Sequence, residues 1–231
     1  MAKLFIFAII AIGVSLQFAD VDADGKADAK KAFEELVKVL DKAITDGEKV
    51  IDKAVGQFNS TADKLEVKAK SDLNKLLSPL QKKLDELVKK AGEKGKKCKK
   101  FVDDFSKIPD GTVKGIVDCV RTQVNAVQTA ASDALQQMRK IVKDLKSIGP
   151  EIDKCTGSKV DEAKCYAKLI AKIVKDAKTA PVKISADVAK VTLLISKLLP
   201  TLESCLANQL RKAGSEGAAD IAKFGVCAAV K

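Results

Sequence analysis

The sequence of 231 residues contains no histidine and no tryptophan, and Tyr166 is its one tyrosine. Without histidine, neither a Ser-His-Asp triad nor a Cys-His pair can form. The commonest metal ligand is missing for the same reason, and no two cysteines form a Cys-x-x-Cys pair. Acidic neighbours such as Asp103 and Asp104 point about 100° apart on a helix, so they do not converge on one site. We therefore expect a protein that is not an enzyme, with no catalytic residue, no metal site and no cofactor.

Proline, glycine and aromatic residues are also scarce, with 5 Pro, 13 Gly and 8 Phe. The apolar residues are mainly Leu, Ile, Val and Ala. No stretch alternates apolar and polar residues with period two, so we expect no sheet. Few aromatic side chains are available to stack on bases, which argues against a nucleic-acid partner. The composition predicts an all-α fold, a multi-helix bundle of long amphipathic helices.

Residues 1–23 have the pattern of a secretory leader. Lys3 precedes the apolar run 4–14, which is too short to span a membrane. We predict a signal peptide at 1–19, cleaved after Ala19 or alternatively after Ala23. No later segment has 18 consecutive apolar residues. We therefore expect a secreted, extracellular protein with no transmembrane segment after cleavage.

The first part of the mature chain, residues 24–91, contains no cysteine. Its apolar residues recur every three or four positions, the spacing of an amphipathic helix. We predict a break at 59–63, where Asn, Ser, Thr and Asp favour helix caps, and a kink or a new helix start at Pro79. The candidate face for a hydrophobic ligand is the leucine stripe of this part: Leu65, Leu73, Leu76, Leu80, Leu84 and Leu87.

A polar joint at 91–97, which contains two glycines, separates this part from a second one, residues 98–231. The apolar period of the second part is helical as well. Local turn and breaker residues predict its interruptions. These are turns at 109–111, 149–150, 155–158 and 214–217, and helix starts or interruptions at Pro181 and Pro200.

All six cysteines lie in the second part, as in a disulfide framework of an exported chain. Spacing alone does not establish their pairing. The turns at 109–111 and 214–217 would fold the chain into antiparallel helical hairpins, and the turn at 155–158 is bracketed by two cysteines. We therefore expect three local disulfides: Cys98–Cys119, Cys155–Cys165 and Cys205–Cys227.

Asn59-Ser60-Thr61 matches the acceptor sequence for N-glycosylation. In an exported chain this is a usable surface site, and the predicted break at 59–63 would place it at a helix junction. Asn59 is therefore the candidate glycosylation site.

The formal net charge is +11, and lysine supplies nearly all of the positive charge because arginine occurs only at positions 121, 139 and 211. Lysine is a hydrated point charge, whereas arginine dominates bidentate phosphate recognition. The lysines either solvate the helix faces or attract the protein to an anionic surface, such as lipid headgroups, acidic glycans or a microbial envelope. The densest basic run, 94–100, would either contact nucleic acid, which the scarcity of aromatic residues disfavours, or form a solubilising, protease-sensitive joint.

Three stretches carry a resemblance to a known class: the leader at 4–14, and residues 148–155 and 199–205. With them the chain resembles secreted arthropod α-helical six-cysteine proteins of unknown function, found in haemolymph, saliva or cuticular fluid. The resemblance is best over residues 98–231 and implies no activity. The first part is similar in pattern to the amphipathic helices of apolipophorins.

Taken together, these features predict a secreted, non-enzymatic binding protein that carries lipids or other hydrophobic ligands. The cysteine-free part would act as a mobile arm that exposes its leucine stripe to lipid or to a partner. The alternative is an extracellular structural or defence-related interaction protein whose basic helical face binds anionic surfaces.

Overall fold

A computed structural model describes residues 25–229 of the chain. The predicted signal peptide and its cleavage site lie outside the described residues. Between residues 25 and 229 the structure is helical and contains no strand. This confirms the predicted all-α fold of long helices. The elements in chain order are α1 (Gly25–Ala91), a 3₁₀ segment η1 (Gly92–Cys98), α2 (Lys99–Lys146), α3 (Gly149–Ile152) and α4 (Lys159–Ala229).

The interruptions predicted at 91–97, 149–150 and 155–158 agree with the observed joints. Those predicted at 59–63, 109–111 and 214–217, and at Pro181 and Pro200, are wrong, as is a new helix start at Pro79, whereas a kink at Pro79 remains a prediction. α1 runs without a break through 59–63, and the hydroxyl of Thr61 donates a hydrogen bond to the carbonyl oxygen of Gln57 at 2.9 Å. The helix therefore absorbs a side chain that was expected to cap a new one. Pro79 lies within α1.

α2 continues through Pro109, and α4 continues through Pro181, Pro200 and the glycines at 214–217. A proline inside a helix costs about 3 kcal/mol because one backbone hydrogen bond is lost. Beside Pro109, Phe105 and Ile108 are buried. Each contributes about 1.5–3 kcal/mol through burial, which is enough to offset the loss and keep α2 continuous.

Two compact units divide the described chain: unit 1 contains residues 25–46 and 137–186, and unit 2 contains residues 47–136 and 187–229. Each unit combines segments of α1, α2 and α4.

In unit 1, α1 runs antiparallel to the end of α2 and to α3. Lys146 forms an ion pair with Asp41 at 3.0 Å, and Lys26 forms one with Asp153 at 3.0 Å. The Tyr166 hydroxyl donates to the carbonyl oxygen of Cys155 at 3.3 Å, which ties the start of α4 to the preceding turn. The most deeply buried side chains of this unit include Leu36, Leu40, Met138, Ile148, Ile152 and Ile173.

Unit 2 has one continuous apolar core. α4 runs parallel to α1, since Gly214 lies against Leu76 and Gly217 against Leu80. It runs antiparallel to α2, because Gly115 lies against Gln209 whereas Cys98 bonds to Cys227. The core includes Phe58, Leu73, Leu84, Phe105, Ile116, Leu202, Leu206 and Phe224.

Three disulfides are present, but two of the predicted pairings are wrong. The bonds are Cys98–Cys227, Cys119–Cys205 and Cys155–Cys165, with Cα–Cα distances of 6.0, 6.0 and 5.7 Å. Only the last matches the local scheme. The predicted hairpin turns do not exist, so Cys205 and Cys227 lie on one helix about 33 Å apart at 1.5 Å per residue. A disulfide needs Cα atoms within about 7 Å of each other.

Candidate functional site

The leucine stripe of α1 contributes to the core of unit 2. Leu73 and Leu84 are completely buried, and Leu65, Leu80 and Leu87 are partly buried against the same core. Leu76 lies at the edge with 37 % of its surface exposed. The structure thus brings the six predicted residues together along one helix, where they cover α4 and α2.

Two glycines of α4, Gly214 and Gly217, contact this stripe, although the sequence predicted a turn at their position. A Cβ atom placed on Gly214 would lie 3.2 Å from Cδ2 of Leu76, and one placed on Gly217 would lie 3.1 Å from Cδ1 of Leu80. The missing side chains let α1 approach α4 closely. The signal for this role is their spacing of three residues, which places both glycines on one helical face.

The covalent connections of unit 2 are distributed unequally. Cys98–Cys227 joins η1 to α4, and Cys119–Cys205 joins α2 to α4. α1 contains no cysteine, so it is attached only through the chain at η1 and through non-covalent packing. At the start of η1, Gly92 adopts a positive φ of 54°, a conformation that ends α1 and that glycine adopts without strain.

A groove of about 410 Å³ lies between α2 and α4 in unit 2, and charged, polar and small apolar residues line it. Its charged side chains pair with one another: Lys107 with Asp104 at 3.3 Å, Lys212 with Glu216 at 3.8 Å, and Lys223 with Asp220 at 3.7 Å. The six charged side chains of the groove balance one another, and Ile108 and Ala219 supply only a small apolar part of its lining, so the groove does not match the broad apolar face that a hydrophobic ligand needs.

Asn59, the candidate glycosylation site, lies inside α1 and not at the predicted junction. Its side chain is partly buried, and its Oδ1 atom is buried without a hydrogen-bond partner. Glycosylation at Asn59 remains a prediction.

The perturbed ionisable groups lie in unit 1. The hydrogen bond and charge of Lys26 hold the pKa of Asp153 below its ordinary value, with a further contribution from Lys30 at 3.6 Å. The same hydrogen bond and charge raise the pKa of Lys26. Both side chains are exposed, so this is a surface ion pair of small energetic weight.

Among residues 25–229, no cluster of three or more potential ligand side chains could hold a metal ion. No helix in the same range is long and apolar enough to cross a membrane.

Comparisons with protein-family models, with curated proteins and with solved structures find no match.

Proposed function

We propose that this chain is a secreted, non-enzymatic carrier that binds lipid, or another hydrophobic ligand, by releasing α1 from unit 2. The observation that supports the proposal is the unequal covalent linkage of this unit. α2 and α4 are joined by a disulfide, and η1 and α4 by another, whereas α1 covers the same core through packing alone.

Lipid can replace the contacts that α1 would lose. Burial of each large aliphatic side chain, such as Leu73 or Leu84, contributes about 1.5–3 kcal/mol relative to water. Hydrocarbon tails offer the same gain to the stripe and to the apolar faces of α2 and α4 that its release would uncover, so exchanging the core contacts for lipid has a small net cost. The helix need not unfold, because its backbone hydrogen bonds are internal.

Export belongs to the proposal, since disulfides persist in oxidising compartments. The predicted leader would deliver the chain there. N-terminal sequencing of secreted protein should place the mature start after Ala19 or Ala23. A mature protein that retains residues 1–19 would contradict export by this leader.

The opening can be measured as a distance within unit 2. No cysteine is free among the described residues, so added cysteines can be spin-labelled selectively. Val67 of α1 and Leu193 of α4 are 69 % and 56 % exposed and tolerate labels. With Val67→Cys and Leu193→Cys, we expect phosphatidylcholine vesicles to lengthen the label distance by more than one helix diameter, about 10–12 Å. An unchanged distance on vesicle-bound protein would contradict the proposal.

A disulfide that locks α1 to α4 provides the second arm of the test. A Cβ on Gly214 lies 3.7 Å from Cγ of Leu76, so Leu76→Cys with Gly214→Cys is within bonding reach. The matched control, Gly115→Cys with Gln209→Cys, adds a bond between helices that are already joined. We expect the lock to abolish flotation with vesicles and the control to retain it. Equal flotation of both variants would exclude release of α1.

A further inference from the structure

The threefold repeat of η1 assigns each of its side chains to one of three rows. In a 3₁₀-helix, residues i and i+3 lie on the same side. Gly95 and Cys98 form the buried row, and a Cβ on Gly95 would meet Cζ of Phe224 at 3.5 Å. Glu93 and Lys96 form a second row and pair at 2.7 Å.

The third row contains Lys94 and Lys97, and Lys100 follows three residues later at the start of α2. We call these three residues the lysine row. All three are exposed, and none pairs with a carboxylate between residues 25 and 229. Lys90 precedes Lys94 by four residues, is exposed, and lacks a described carboxylate partner as well.

The net charge of residues 89–100 opposes folding of this segment when no anionic partner is bound. Residues 89–100 contain seven lysines and one glutamate, so this short segment carries a net charge of +6 out of the +11 of the whole chain. Like charges three or four residues apart repel each other. The first turn of α2 contains no acidic residue, although an acid there would be stabilising. An anionic partner would remove this repulsion.

We propose that the lysine row is a docking surface for anionic phospholipid headgroups. Exposed apolar side chains at the same end of unit 2 favour lipid over a sulfated glycan. Val226 is 68 % exposed and precedes Cys227, which is bonded to Cys98, and Val88 is 37 % exposed. A membrane surface offers anionic headgroups to the lysines and an apolar region to the valines, whereas a hydrated polyanion would leave the valines in water.

This inference rests on the proposed carrier function, because docking at η1 would bring the joint of α1 to the surface that receives the leucine stripe. The lysines would recruit the protein by long-range attraction, and the stripe would then supply apolar contact.

The test compares binding to phosphatidylcholine vesicles with and without phosphatidylserine. We expect tighter binding with phosphatidylserine, lost when salt rises from about 0.1 to about 0.5 M. Each lysine near an anionic surface strengthens binding by about fivefold, so the variant Lys94→Gln, Lys97→Gln, Lys100→Gln should bind about 100-fold more weakly. The control Lys168→Gln, Lys175→Gln, Lys178→Gln removes the same charge from exposed positions of α4 in unit 1, outside α1 and the lysine row, and should change binding only severalfold.

Three outcomes would overturn the inference: equal losses in both triple variants, equal binding to both vesicle types, or a row variant that loses binding to a sulfated polysaccharide but not to vesicles. Circular dichroism verifies that each variant is folded. The spin-label distance on pure phosphatidylcholine separates the two proposals. The row variant should still open there, and only a failure to open counts against the carrier function.

Discussion

At the residue scale, Gly56 and Gly92 have equally open surroundings but different backbone conformations. Apart from the adjacent residues and the local helix backbone, no heavy atom lies within 4 Å of a Cβ placed on either residue. Gly56 lies inside α1, whereas Gly92 has a φ of 54° at the joint with η1. Contacts with the rest of the fold therefore cannot distinguish the two positions, and the local backbone conformation determines the effect of a side chain there.

We predict opposite effects for Gly56→Ala and Gly92→Ala. The first should stabilise the protein by about 0.5–1 kcal/mol, because alanine loses less entropy in a helix. The second should destabilise it by about 1–2 kcal/mol, because an L side chain is strained at positive φ. Urea unfolding of the two variants checks both signs, and destabilisation by Gly56→Ala would show that the backbone account is wrong.

Asp153 should show a measurable pH response in unit 1. Its pKa is lowered by the hydrogen bond from Lys26, so its stabilising effect is present above about pH 4 and is lost as pH falls through the lowered value. The raised pKa of Lys26 makes the complementary contribution, which is present at neutral pH and is lost as pH rises through that value. We expect carbon NMR to detect an Asp153 midpoint below that of an ordinary aspartate, moving up in Lys26→Met. The same midpoint in both proteins would contradict the pairing.

Single residues also show where sequence patterns are ambiguous. Asn59, Ser60 and Thr61 have the chemistry of a helix cap, and this local preference predicted a junction. Burial of Phe58 and Ala62 on either side of them outweighs that preference and keeps α1 helical. The sequon could be found from sequence, but its buried Oδ1 atom could not, since that depends on neighbours outside the local chain.

At the element scale, the three-to-four-residue apolar period was sufficient to predict the helices but not their ends. Pro109 and Pro200 are strong local breakers, yet both lie inside helices that bury apolar side chains on either side of the proline. The pairing error followed from this. A turn at 109–111 would bring Cys98 and Cys119 together. Because α2 is continuous there, each of them bonds to a cysteine of α4 instead.

The observed pairing predicts unequal losses of stability. Cys119–Cys205 spans 86 residues and Cys155–Cys165 spans 10. In the chain-entropy model, their removal costs about 3–5 and about 2–3 kcal/mol, because the longer loop restricts the unfolded chain more. Paired Cys→Ala variants of each bond, unfolded in urea without reductant, test this order. Non-reducing peptide mapping provides the control, and a Cys205–Cys227 peptide would overturn the register of α2 and α4.

At the scale of the whole molecule, the distribution of covalent bonds carries more functional information than composition does. The sequence alone showed a cysteine-free part and a cysteine-bearing part. It could not show that the leucine stripe of the cysteine-free part covers a core formed by α2 and α4. That contact depends on the parallel register in which Leu76 and Leu80 meet Gly214 and Gly217. The apolar stripe of α1 was therefore predictable from sequence, whereas the glycines that it contacts were not, and its role as a ligand face remains a prediction.

This distribution predicts which helices lipid can release. In the native protein, α4 is held by Cys98–Cys227 and Cys119–Cys205, so vesicles should change protease susceptibility within α1 alone. Replacing these four cysteines by alanine removes the restraint, and we expect lipid to expose α4 to protease as well.

The variant with only Cys155 and Cys165 replaced is the matched control, because that bond closes a 10-residue turn and does not cross unit 2. Limited proteolysis with mass spectrometry, with and without phosphatidylcholine vesicles, reads out all three proteins. If α4 of the native protein is cleaved as readily as α1, the disulfides do not confine the opening, and release of α1 alone is refuted.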